Sequence, residues 1–149
     1  MVIRWLIATL HLLALPLGLG GVWLCARALR GSLGPDGLRR VFTADNFWGL
    51  AAVLWIATGL ARAFGGLEKG SAYYLSQPIF YAKMALLGTI LLLEIWPMVT
   101  LIRWRILIHR GATVDTQPAQ AFACISEIQA VLVVLMVFAA TALARGVFL

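Results

Sequence analysis

A chain of 149 residues is long enough for one domain, and its composition excludes a soluble one: 62% of residues are hydrophobic and only 12% charged, against about 25% charged in soluble domains. Twelve Lys and Arg against six Asp and Glu give a net charge of +6. These cations flank apolar stretches, where membrane topology and lipid headgroups account for them, and no RNA- or DNA-binding motif accompanies them, so nucleic acid is not an expected partner.

The expected architecture is all-α, a single transmembrane domain over residues 1–149 folded as an antiparallel four-helix bundle. A bilayer-crossing helix needs about 20 mostly apolar residues. Four stretches qualify, at approximately 4–29, 47–64, 78–100 and 121–143. The run from Trp5 to Cys25 is longer than the core of a signal peptide and carries His11 and Pro16, so it reads as a retained first span. Gly31, Gly34, Pro35 and Gly37 make a turn-rich connection, and Thr43, Asp45 and Asn46 read as helix-capping oxygens before the second span. Gly65 and Gly66 close that span, and Gln77-Pro78 opens the third, with proline in the first helical turn. Gly111, Thr113, Asp115 and Pro118 separate the third from the fourth.

Charge orients the bundle. Arg27, Arg30, Arg39, Arg40, Arg103, Arg105 and Arg110 lie around the first and third connections, against Arg4, Arg62, Lys69 and Arg145 on the other side. The bias places both termini of this multi-pass chain outside, in the periplasm if the host is Gram-negative. Trp5, Trp48, Trp96 and Trp104 fall near the expected interfaces.

Within the spans, ionisable side chains are the leading functional candidates, because a charge in hydrocarbon costs several kcal/mol, on the order of 3 even by lenient scales. His11 heads a stripe with Ala14, Gly18, Gly21 and Cys25, small residues that admit either a close helix or a flat cofactor. Lys83 and Glu94 point within about 20° of each other but sit about 16 Å apart along their helix. Arg62 ends a stripe with Trp55 and Gly59, and Glu127 follows Gln120 and Cys124 at helical spacing. Depth sorts these residues into an outer cationic group of His11, Arg62 and Lys83 and an inner acidic group of Glu94 and Glu127. Arg27, Arg30, Arg103 and Arg105 surround the acids as neutralising partners.

An imidazole beside two cations suits a flat anionic cofactor, and haem b fits, with His11 as the metal ligand and Arg62 and Lys83 at the propionates. Met84 and Met136 lie at depths suited to a second ligand. Lys83, Glu94 and Glu127 are the catalytic candidates, the acids as a proton relay toward the cytoplasm, and a tetrapyrrole or a quinone is the expected small-molecule partner within the lipid bilayer. His109 reads as a solvated loop residue. Cys25 and Cys124 form no CxxC or CxxCH pattern and read as small apolar residues. No HExxH, GxSxG, Walker or Rossmann pattern occurs, and one depth supplies too few His and Cys for a zinc or copper site.

Several stretches resemble an uncharacterised bacterial family of four-span inner-membrane proteins, defined only as a domain of unknown function. They include Leu19-Gly-Gly-Val-Trp23, Ala44-Asp-Asn-Phe-Trp-Gly49, Thr58-Gly-Leu-Ala-Arg62, Phe64-Gly-Gly-Leu-Glu-Lys-Gly70, Leu93-Glu-Ile-Trp-Pro-Met98 and Ala144-Arg-Gly146. A first-span histidine, a third-span lysine and a fourth-span Glu are also distantly similar to HemJ-type protoporphyrinogen oxidases and copper-resistance membrane domains. That likeness implies a haem-linked role for His11 and a functional one for Lys83. The sequence departs from it where Ser126-Glu127 replaces Asn-Glu and where Glu94 has no counterpart. The expected function is a haem-binding or haem-linked redox protein. A small proton, ion or metal transporter using the same acids is the first alternative. A non-enzymatic assembly partner is the second, and homo-oligomerisation is expected because four short helices enclose little interior.

Overall fold

The computed structural model describes residues 1–66 and 71–146. Among them every regular element is an α-helix: α1 (Val2–Leu29), α2 (Pro35–Phe64), the short α3 (Ser71–Ser76), α4 (Pro78–His109) and α5 (Ala119–Arg145). The four long helices are each long and apolar enough to cross a membrane. Their outward surfaces carry large hydrophobic side chains such as Leu12, Leu13, Leu92, Val131 and Phe138. An apolar exterior of this kind implies a lipid bilayer around the bundle.

The helices overrun the apolar stretches that mark them in the sequence. α2 begins at Pro35, and α4 continues to His109. Thr43, Asp45 and Asn46 are therefore interior to α2 rather than its caps, and the start falls to Gly34 with Pro35 in the first turn. The extra turns carry Arg39, Arg40, Arg103 and Arg105 on an amphipathic surface, which hydropathy alone cannot separate from loop. His109 is exposed at the end of α4. Gly65 closes α2, with Gly66 at φ +65 beyond it. Gln77 precedes α4, whose first residue is Pro78. Lys69 and the Leu67–Gly70 part of its motif lie outside the described residues.

α1 packs on α2 and on α5, and α5 packs on α4. The α1–α2 seam is the closest. Gly18 and Gly21 face Trp48 and Ala51 of α2, and a Cβ added to Gly21 would stand 2.8 Å from the Trp48 backbone nitrogen. The stripe of Ala14, Gly18, Gly21 and Cys25 is thus filled by α2 and leaves no slot for a flat cofactor. By contrast, α2 and α4 meet through long side chains rather than through backbone proximity.

The halves of the bundle differ. The half holding the α1–α2 and α4–α5 connections, the loop half, has a continuous core that includes Leu29, Val41, Leu101, Trp104 and Phe122. The Phe122 ring is fully buried and meets Trp96 edge-on at 4.9 Å between centroids. A middle layer of Val22, Trp48, Ile90, Ala130, Val133 and Met136 follows. In the terminal half, which carries both chain ends, the buried cluster shrinks to Ala63, Phe80 and Leu143. Trp48 and Trp104 turn inward, 5% and 3% exposed, whereas Trp5 and Trp96 face out.

Candidate functional site

The thin core of the terminal half surrounds a cavity of about 510 Å³. That volume lies within the range of about 300–1,000 Å³ typical of small-molecule sites. Every long helix contributes a wall. α1 supplies His11 and Leu15; α2 supplies Trp55, Gly59 and Arg62; α4 supplies Phe80, Lys83, Met84 and Leu87; and α5 supplies Val133, Met136 and Ala140. Tyr73 and Tyr74 of α3 close one side, with the Tyr74 ring 5.7 Å from that of Phe80. The lining is mostly apolar with a few polar groups, the usual character of a ligand pocket.

Helical phase explains this gathering. Trp55, Thr58, Gly59 and Arg62 recur at three- and four-residue steps on α2, so one face meets His11. His11 Nδ1 lies 2.8 Å from Thr58 Oγ1. Thr58, buried within α2, donates its own hydroxyl proton to the Leu54 carbonyl. Trp55 Nε1 donates to the His11 backbone carbonyl at 3.1 Å. Pro16, about one turn further on, lacks the N–H that would reach the Leu12 carbonyl. The imidazole is consequently tied to α2 at both its ring and its backbone.

The two acids expected to lie together are kept apart. Glu94 turns into the bundle, where its Oε2 accepts hydrogen bonds from Trp48 Nε1 at 2.9 Å and from Gln129 Nε2 at 2.8 Å. Gln129, 1% exposed, also reaches the Ile90 carbonyl. Glu127 turns outward instead. Arg30 clamps it with two parallel hydrogen bonds of 2.8 and 2.7 Å and extends to Gln120 at 3.1 Å. The hydrogen bonding to Glu127 holds the Arg30 guanidinium above its ordinary pKa. Arg105, expected to neutralise an acid, serves Asp45 at 2.7 Å, together with Asn46 and the Phe42 carbonyl. Its guanidinium also lies over the Phe42 ring, 4.9 Å from the centroid.

Leu87 and Val133 line the cavity and pack in one apolar cluster with Ile90, and Glu94 is not among the cavity-lining residues. The bundle thus holds two polar regions. The terminal region brings His11, Arg62, Lys83, Met84 and Met136 to one cavity, as their depths suggest; the loop-half region pairs Arg30 with Glu127 and Arg105 with Asp45 and holds Glu94 by neutral donors. Thr58, Gln129 and Asp45 complete these networks without having stood out as site candidates. The spacing of Thr58 from Trp55 and Arg62 was the available signal, and Gln129 was a neutral polar residue in the middle of an apolar span. Among the described residues no cluster of three or more His, Cys, Asp and Glu side chains could hold a metal by protein ligands alone.

Comparison with known proteins gives a match to a family described as predicted membrane protein (DUF2214), spanning residues 3–148. The chain belongs to this family. The match covers all four membrane helices and both polar regions. No curated protein and no solved structure matches the chain.

Proposed function

We propose that this protein binds a flat, anionic tetrapyrrole, haem b in the first instance, in the terminal-half cavity. The observation that carries the reading is the convergence of one imidazole, two cations and two thioethers on a single apolar-walled space. The residues fit the group. His11 would hold the iron through a ring nitrogen, and Arg62 and Lys83 would meet the carboxylates. Met84 and Met136 could supply a thioether as a second ligand, and Leu15, Leu87 and Val133 would exclude water. Haem, when bound, supplies a one-electron centre inside the membrane. The positive-charge bias supports an inner-membrane setting with both termini periplasmic, which puts the cavity in the outer half of the bilayer.

Within this scheme Lys83 and Glu94 have different work. Lys83 lies on the cavity wall and acts on whatever occupies it. Glu94 can take up a proton in the other half, outside the cavity lining. Glu127, clamped by Arg30, holds α5 to the end of α1 instead of joining a relay.

The test is to purify the protein in mild detergent from haem-replete cells and record oxidised and reduced visible spectra. A stoichiometric Soret band in the wild type that disappears in His11→Ala is the expected result. A colourless wild type that stays colourless after titration with haemin, while remaining folded, would reject the haem reading.

A further inference from the structure

We propose that Thr58 is the positioning residue of the cavity: it fixes the tautomer of His11, so that Nδ1 carries the proton and Nε2 is the nitrogen with the lone pair. The argument is a count of protons. A threonine hydroxyl has one proton to give. The Leu54 carbonyl has none, and its oxygen lies within hydrogen-bond reach of Thr58 Oγ1, a contact that only the hydroxyl proton can bridge. The hydroxyl proton is therefore committed to Leu54. Thr58 Oγ1 can meet the imidazole, at 2.8 Å, only as acceptor. His11 Nδ1 must be the donor.

A further contact ties the two helices together at this point. The Trp55 indole donates to the His11 carbonyl, and Gly59 lies beside the ring, where an added Cβ would make ordinary contact, 3.5 Å from His11 Cε1. Metal-binding histidines commonly donate their second ring N–H to an oxygen in this way, which sets both tautomer and basicity. The role of Nε2 as a ligand atom rests on the haem reading; the tautomer does not.

The experiment separates the two. The cofactor-free protein, uniformly labelled at histidine nitrogen and carrying His109→Gln so that only His11 reports, is examined by nitrogen NMR at a pH where the ring is neutral. The expected spectrum shows Nδ1 protonated and Nε2 bare. Thr58→Val, which keeps the shape and removes the acceptor, should lose that uniform tautomer, and Thr58→Ser should restore it. An Nε2–H ring in the folded wild type, or an unchanged spectrum in folded Thr58→Val, would overturn the proposal. The wild-type spectrum decides the tautomer even if the valine variant fails to fold. Haemin titration of the same samples should show binding weakened about 10–100-fold in Thr58→Val. Absence of haem binding in a wild type with the expected tautomer would reject the haem reading and leave this one standing.

Discussion

The loop half and the terminal half are built from the same four helices, yet they differ in how fully the space between their polar side chains is filled. In the loop half the charged groups are consumed by one another: Arg105 by Asp45 and Asn46, Arg30 by Glu127 and Gln120. The space between them is filled by Phe122, Trp104 and Leu101. In the terminal half His11, Arg62 and Lys83 stand around a space that side chains leave open. A charge inside a membrane bundle is therefore no sign of function until its surroundings are known. Arg105 and Asp45 pair beside a packed core, whereas His11, Arg62 and Lys83 line a cavity.

The largest effect should come from striking the framework both halves share. Gly21→Leu would force α1 away from the Trp48 backbone and abolish the monodisperse, folded species on size-exclusion chromatography. A variant that eluted and melted like the wild type would show that the α1–α2 seam is looser than described. A smaller and more telling effect comes from adding the same side chain to the two ends of α5. Ala123 is fully buried in the loop-half core, so Ala123→Leu should destabilise by about 1–3 kcal/mol through overpacking. Ala140 lines the cavity, so Ala140→Leu should leave thermal stability unchanged or raise it by about 0.5–2 kcal/mol. Equal melting temperatures for the two would erase the contrast between a filled and an open half. The smallest effect is expected at the Arg30–Glu127 pair, whose side chains are each 40% exposed. Arg30→Ala should shift the melting temperature by no more than the error of the scan, because exposed pairs contribute little.

The four spans were legible because hydrocarbon thickness imposes a length, and the membership of the cavity was legible because depth and helical phase together locate a residue. His11, Arg62, Lys83, Met84 and Met136 satisfy both constraints at one level. The direction of Glu127 was not legible: it depends on where the end of α1 places Arg30, and no periodicity within α5 contains that. Thr58 and Gln129 escaped for a different reason. Neutral polar residues carry no charge penalty in an apolar span and so draw no notice, although their hydrogen bonds orient the ionisable ones. The lower part of α2 was read as a connection because its polar residues suggest capping, whereas Asp45 and Asn46 hold Arg105 from within the helix.

The close approach at Gly21 also bears on the order in which the molecule is made. α1 and α2 leave the ribosome before α4 and α5, and only a short stretch between Leu29 and Pro35 separates them, so they can meet before the later helices exist. Thr58 and Trp55, which hold His11, both belong to that first hairpin. The histidine thus has hydrogen-bonding partners before α4 and α5 are synthesised. Glu94 must wait for Gln129, thirty-five residues later in the chain. The wall of the cavity that bears the imidazole can be completed before the walls from α4 and α5, and those later helices close around it.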